Sequence, residues 1–315
     1  MATIPVSHQP IPSFLINPNP KYPFREAIAK LPMNGIHTIC EEAKCPNRGE
    51  CLPQHGTISI MVMGSICTRG CPFCSVTTGR PQPLDETEPQ KVVDIAKALA
   101  VRYLVMTSPN RDELADGGAL QFVKIVSALR DFNPELKIEI LVPDFEGKES
   151  SFEVLLQNPP DVIAHDLQTI PRLYGPIRPG AKYDRSLNLF RWFKSHTDSS
   201  ANGNYDEPLA QPNPAARLEG SRQVKVMLKA GLMVGFGETE SEVKEVLRDA
   251  AQAGVRFFTI GQYLKPPGST LEVTEYVPLE RYAHWTEYGK EIGLTVQASP
   301  LTRSSYLADR LASSK

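Results

Sequence analysis

The chain has 315 residues, enough for one barrel-sized domain or two ordinary ones, and its 41% hydrophobic and 22% charged residues are those of a soluble globular protein. A net charge of −2 argues against nucleic acid or an anionic membrane surface as the main partner, and no apolar run approaches the roughly 20 residues that span a bilayer. The first residues carry several prolines, no Arg and no long apolar core, so no targeting segment is expected and the expected location is cytoplasmic.

Residues 1–35 are Pro-rich (Pro5, Pro10, Pro12, Pro18, Pro20, Pro23) and read as an extended arm that wraps the domain. Cys40, Cys45 and Cys51 follow at C-x4-C-x5-C spacing; taken alone, this triplet suits iron, or zinc with His55 added. Thr57 to Gly64 (TISIMVMG) is apolar and Gly-bounded, a buried strand. A tight loop then carries Cys67, Cys71 and Cys74 at C-x3-C-x2-C spacing. All 6 cysteines fall into these two triplets, which favours metal over disulfides in a chain without a visible secretory signal. Three thiolates on one loop can meet one face of a four-iron cube and leave the fourth iron open, as in a catalytic metal site.

Past Gly79, strand and helix patterns alternate. Helices are expected over 88–100 (inner stripe Val92, Val93, Ala96, Leu99), 118–130 (Val123, Val126, Leu129), 185–194 and 279–292, with one opened by a capping box at Thr239–Glu242. Strands are expected over 103–107, 137–141, 162–164, within 224–236 and over 257–260. The stretch 197–220 is rich in Ser, Asn, Pro and Ala without periodicity and reads as a mobile surface insertion. Regular βα alternation implies a parallel sheet in a barrel or partial barrel. The alternative is an open doubly wound sheet, which no Gly-rich dinucleotide turn supports. Polar sequences gather where strands end: Thr107-Ser108, His165-Asp166-Leu167-Gln168-Thr169, Arg178, Gly235 to Thr239, and Gly261 to Pro266. Barrel enzymes place their chemistry at that rim.

With Phe73 just before the third cysteine, the second triplet resembles the radical S-adenosylmethionine (SAM) superfamily. There the open iron is chelated by the methionine part of SAM, which the cluster cleaves to a 5′-deoxyadenosyl radical. Both triplets, followed by RDELADGGA, RPGAKYDRSL, GLMVGFGET, TIGQYL and a terminal RSSY, resemble the lipoyl synthase family from about Asn34 to Asp309. The resemblance implies an α/β fold, a partial (β/α) TIM-like barrel with N- and C-terminal extensions carrying an auxiliary cluster. On this chain that gives an extension over 1–55, the barrel over 56–298 and a closing tail over 299–315. It implies two [4Fe-4S] clusters: one on Cys67, Cys71 and Cys74, the other on Cys40, Cys45, Cys51 and Ser305, with Arg303 and Tyr306 fixing the tail. An alkoxide among thiolates is the weak ligand of that set, reasonable for a cluster meant to come apart.

The implied reaction inserts two sulfur atoms into an octanoyl chain held on a lysine of a carrier protein, consuming two SAM molecules and the auxiliary cluster. Hydrogen removal from an unactivated carbon is beyond any side-chain base, so the cofactor carries that step. SAM is expected against Thr107, Ser108, Gln168, Arg178 and Arg185, because its carboxylate and ribose need Arg and polar partners. Lys265 is a candidate to meet an acidic carrier surface. Expected partners are an octanoylated lipoyl carrier domain or protein, reduced ferredoxin or flavodoxin as electron donor, and an iron–sulfur cluster carrier, with no nucleic acid and no membrane. Where the family reads His-Asn-Leu-Glu-Thr, this chain has Asp166 and Gln168, which keeps a hydrogen-bond acceptor at 168 without the charge. Together with the insertion, that departure suggests a divergent second copy. A biotin synthase type of sulfur inserter and a non-enzymatic zinc module are the alternatives.

Overall fold

Apolar runs of strand length separated by amphipathic stretches fold into one sheet covered by helices. The structure, a computed structural model, describes residues 11–15, 36–39, 45, 47, 50–197, 225–306 and 308–309. Its strands are β1 (His37–Thr38), β2 (Thr57–Met61), β3 (Ile66–Cys67), β4 (Thr77–Thr78), β5 (Tyr103–Thr107), β6 (Lys137–Leu141), β7 (Val162–Gln168), β8 (Met227–Val234), β9 (Phe257–Gln262) and β10 (Thr295–Ala298). Its helices are α1 (Cys51–His55), α2 (Glu88–Ala98), α3 (Ala119–Phe132), α4 (Glu149–Leu155), α5 (Tyr174–Ile177), α6 (Tyr183–His196), α7 (Glu240–Gln252) and α8 (Leu279–Glu291).

The main sheet has 8 strands in the order β1-β2-β5-β6-β7-β8-β9-β10. Only β1 runs antiparallel to its neighbour; all other pairings in the sheet are parallel. Strands laid down in chain order with helices between them make the partial barrel, and the doubly wound alternative falls because the order never reverses. Val92, Val93, Ala96, Val126 and Leu129 bury as expected, but Leu99 and Val123 are only partly covered, the inner positions beside them falling to Ile95, Phe122 and Ile125. Val243, Val246, Leu247 and Ala250 of α7 are fully covered, each Val or Leu contributing about 1.5–3 kcal/mol. Thr239 caps that helix reciprocally with Glu242, as expected.

Strand side chains alternate, so one parity faces the helices and the other the barrel lumen. Tyr103, Val105, Val162, Met227 and Phe257 form a separate apolar cluster in the lumen, and Ala308 from the C-terminal segment joins it. Above it lies a buried polar layer of Ser59, Glu139, Asp166, Lys229 and Thr259. Lys229 Nζ donates to Glu139 at 2.9 and 3.0 Å, and Tyr103 Oη donates to Glu139 Oε2 at 2.8 Å.

Several limits differ from expectation. β7 extends to Gln168 instead of ending at Ala164, because His165 and Asp166 are buried strand residues. β2 ends at Met61, short of Gly64, and α4 and β10 arise from short stretches with weak patterns. Thr197 is buried, its hydroxyl donating to Phe193 O at 2.7 Å; the rest of the 197–220 segment lies outside the described residues. So does the N-terminal arm, apart from a turn of 3-10 helix at Ser13–Leu15.

Candidate active site

The loop carrying the second cysteine triplet is tied down at each end. Cys67 ends β3 opposite Thr78 of β4, and the Gly79 N–H donates to Cys67 O at 2.9 Å. The Cys74 N–H donates to Cys71 O at 3.0 Å, closing the turn between them. Backbone N–H groups of Arg69 and Asn110 donate to Cys67 Sγ at 3.4 and 3.3 Å, and that of Val76 donates to Cys74 Sγ at 3.4 Å. Such N–H···S bonds orient a thiolate ligand and tune the iron behind it. Below the loop, Arg69 bridges Asp112 at 2.8 Å and Asp144 at 2.7 Å, and Arg185 reaches Asp144 from the other side at 3.1 Å.

Asp144 has no solvent exposure; burial would raise its carboxyl, but the bond to Arg69 and its charge win and hold it at about 2. Burial pushes the Cys71 thiol up to about 11, partly opposed by the charge of Arg178, and burial also raises Cys74. Iron would displace these protons, since the ligand is the thiolate. Cys67, Cys71 and Cys74 form no disulfide. Among the described residues no three His, Cys, Asp or Glu side chains close on a single point, which one tetrahedral zinc ion requires. Three thiols on one braced loop, two of them supported by N–H groups, are a donor set that an iron–sulfur cluster can use.

Thr107 ends β5, and the Ser108 that follows has a buried hydroxyl with no hydrogen-bond partner, a polar atom that suits a ligand at the strand end. Two strands over, Gln168 closes β7 at a register shift with φ of 67°, in the left-handed region. Its Nε2 donates to Asp166 Oδ2 at 3.0 Å. Arg178 Nη1 donates to Asp166 O at 2.8 Å and to Tyr174 Oη at 2.6 Å, within electrostatic reach of Cys71. The structure thus brings Arg178 within reach of the cysteine loop and sets Gln168 and Arg178 against the same residue, Asp166. Arg185 stands apart on α6, where its contacts are Asp144 and Gly180 O. Its outer side, with Lys182, Phe152 and Trp192, lines a surface cavity of about 550 Å³ away from the loop.

Two further features escaped the sequence. Burial lowers His165 to about 4, and its neutral ring lies between Val142 O and Ser186 Oγ at 2.8 and 2.9 Å, stacking no charge under the rim. Glu238, pushed up to about 7 by burial, accepts from the N–H groups of Gly235 and Phe236, the latter at 2.8 Å. Gly-Phe-Gly-Glu was the visible signal, but a carboxylate folding back on its own turn leaves no periodic trace.

The C-terminal segment crosses the lumen to the first triplet. Ser304 Oγ donates to Asp166 Oδ2 at 2.5 Å, Ser305 Oγ to Ser59 Oγ at 3.2 Å and Tyr306 Oη to Glu50 Oε1 at 3.2 Å. Asn47 Nδ2 donates to Leu301 O at 2.7 Å, and His55 Nδ1 lies 3.3 Å from Asp309. The Arg303 guanidinium is within electrostatic reach of Cys45. Cys45 and Cys51 are half-buried beside this tail, while Cys40 lies outside the described residues. The donor set at this end, the Cys45 and Cys51 sulfurs with a serine hydroxyl on the adjoining tail, is compatible with an iron–sulfur cluster.

Residues 61–250 match the Radical SAM superfamily. The chain is 45% identical over 278 residues to a lipoyl synthase from Actinobacillus pleuropneumoniae serotype 5b, covering 88% of this chain and 76% of the relative. It is 44% identical over 282 residues to a lipoyl synthase from Haemophilus influenzae, covering 89% and 80%. Among solved structures, the FeFe-hydrogenase maturase HydG from Carboxydothermus hydrogenoformans is similar with a TM-score of 0.56 at 13% identity, over 95% of this chain and 70% of that one. Streptococcus suis SuiB bound to S-adenosylmethionine is similar with a TM-score of 0.54 at 14% identity, over 79% and 52%. The structural likenesses carry the fold; the sequence relatives carry more, and the chain belongs to the lipoyl synthase family of radical SAM enzymes.

Proposed function

We propose that in this lipoyl synthase Cys67, Cys71 and Cys74 hold the SAM-binding [4Fe-4S] cluster, and that Cys40, Cys45, Cys51 and Ser305 hold the auxiliary one. The observation that carries the second assignment is the tail: Ser305 and Tyr306 bond to Ser59 and Glu50, on the element that follows the first triplet and on the triplet segment itself. When bound, SAM and its cluster supply the hydrogen-abstracting radical and the auxiliary cluster supplies sulfur. The chain itself positions and shields. Thr107, Ser108, Gln168 and Arg178 offer SAM a hydroxyl pair and an amide at the ends of β5 and β7, and a cation beside them. Arg185 acts at one remove, through Asp144 and Arg69, on the cysteine loop. The tail fills the lumen below, where Ala308 and the apolar cluster keep water out.

Family membership brings a lipoyl-carrier substrate and a need for an electron donor. More finely, the substrate is an octanoylated carrier domain, the donor a reduced ferredoxin or flavodoxin, and an iron–sulfur carrier rebuilds the auxiliary cluster after turnover. Lys265 is exposed and ion-paired with Glu272, a pair that an acidic carrier surface could open. A cytoplasmic setting fits cysteines that serve as cluster ligands rather than in disulfides. Among the described residues, no helix is long and apolar enough to cross a membrane. The test is Ser305→Ala in anaerobically reconstituted protein: 5′-deoxyadenosine formation should persist while lipoyl product falls at least about tenfold. Wild-type lipoyl yield would show that Ser305 holds no iron.

A further inference from the structure

Asp166 holds no cluster in the assignment above, yet its side chain touches both the tail and the rim. Its Oδ2 accepts from Ser304 Oγ at 2.5 Å and from Gln168 Nε2 at 3.0 Å, while its own carbonyl accepts from Arg178 Nη1 at 2.8 Å. The carboxylate is buried, and the absence of a side chain at Gly231 makes its space: a Cβ there would collide with Asp166 Oδ1. Ser304 arrives from 138 positions along the chain, next to the Ser305 that faces Ser59. The strand end carrying Gln168 is irregular, with a register shift and a positive φ, and such a backbone persists only where its neighbours over-determine it.

We propose that Asp166 is a positioning residue that links the seating of the C-terminal tail to occupancy of the SAM site. The inference rests on the placement of SAM against Gln168 and Arg178 proposed above. A ligand that takes up the Gln168 amide and the Arg178 guanidinium alters two of the three bonds centred on Asp166, and the third is the tail's anchor. Charge-assisted bonds of this kind are the strong ones in a buried network, and their strengths are coupled. Linkage makes the effect reciprocal: if SAM tightens the tail, a loosened tail must weaken SAM by the same factor.

The test uses full-length, anaerobically reconstituted protein, with amide hydrogen exchange over 301–306 and equilibrium SAM binding as readouts. SAM should slow exchange of the tail by about fivefold or more, and Ser304→Ala, whose hydroxyl reaches only Asp166, should raise the SAM Kd by a matching factor. Asp166→Leu should abolish the coupling, and the exchange Asp166→Asn with Gln168→Glu, which keeps an amide–carboxylate pair, should restore it. If Asp166→Leu does not fold, Ser304→Ala and the double exchange decide alone. A Gln168→Ala protein that binds SAM weakly beside a Ser304→Ala protein that binds it normally would overturn the coupling and spare the SAM placement. Unchanged SAM affinity in Gln168→Ala would overturn the placement, and the coupling with it.

Discussion

Gly261 of β9 and Thr302 of the tail touch backbone to backbone: a Cβ at Gly261 would collide with the Thr302 carbonyl oxygen and lie 3.1 Å from Arg303 Nη1. The tail is pinned on either side of that contact, with the Gln262 N–H donating to Pro300 O at 3.0 Å and the Ser299 N–H to Ile260 O at 3.1 Å. Nothing in the strand's own backbone demands glycine here, since its φ is not positive. The missing side chain therefore serves the tail.

Gly261→Ala should lift the tail off β9 while leaving the rest of the barrel folded, at a stability cost of about 1–3 kcal/mol for the forced shift. Lipoyl formation should fall at least about tenfold as Ser305 moves, and SAM cleavage without product should continue. Product and 5′-deoxyadenosine, quantified together by mass spectrometry, give the ratio; a wild-type ratio would mean that the tail's seat is irrelevant to sulfur insertion.

Acid should loosen the cysteine loop through Asp144. Its carboxyl, ordinarily near 3.8, is held at about 2 because Arg69 outweighs burial, and Asp112 is displaced the same way. A folded value below the unfolded one stabilises the protein above the unfolded value and is lost as pH falls from about 4 toward 2. Asp144→Asn should therefore be destabilising near pH 7, by about 1–3 kcal/mol, since Arg69 loses its buried charged partner but keeps Asp112. Its deficit against wild type should shrink as pH falls through that window. Denaturant unfolding of the metal-free protein at pH 7 and pH 3 measures both; a deficit independent of pH would rule out Asp144 ionisation as the brace.

Much of this was legible in the residues. The strands over 103–107 and 137–141 came out as expected because short apolar runs between turn signals leave few other readings. β7 was cut short because His165 and Asp166 look like loop residues; only their partners explain their burial, Val142 O and Ser186 for one, Ser304 for the other. Such partners lie far away in sequence, so local pattern cannot supply them. The same holds for Asp144, an acid in an ordinary loop until Arg69 is folded onto it. The cysteine spacing was legible because cluster ligands must sit close together in the chain. The route of the tail was legible only through family resemblance.

Removing all three loop thiols separates the two clusters. Cys67→Ala/Cys71→Ala/Cys74→Ala protein should bind about half the iron and sulfide of wild type and make no 5′-deoxyadenosine under dithionite, because the first triplet still has its own donors. Anaerobic metal analysis with a visible spectrum checks it. A colourless wild-type protein holding one zinc per triplet would replace the cluster assignment with a structural one.

The last prediction concerns the charges sealed in the lumen. Lys229 and Glu139 are 2% and 1% exposed, paired at 2.9 Å, with Tyr103 Oη adding a third bond to Glu139. No solvent screens them, so each is tolerable only beside the other. Lys229→Met should leave Glu139 with Tyr103 as its only close donor and cost about 3–5 kcal/mol. Adding Glu139→Gln removes the orphaned charge while keeping an acceptor for Tyr103, and most of that loss should return. The two changes share one network, so their effects should depart from additivity by about 0.5–3 kcal/mol. The layer also adjoins the tail, since Ala308 belongs to the apolar cluster that holds Tyr103. Lys229→Met should therefore also raise hydrogen exchange over 301–306, and the double variant should lower it again. Denaturant melts of wild type, both single variants and the double supply the cycle. Additive losses with an unmoved tail would mean that the pair neither acts as a unit nor supports the tail.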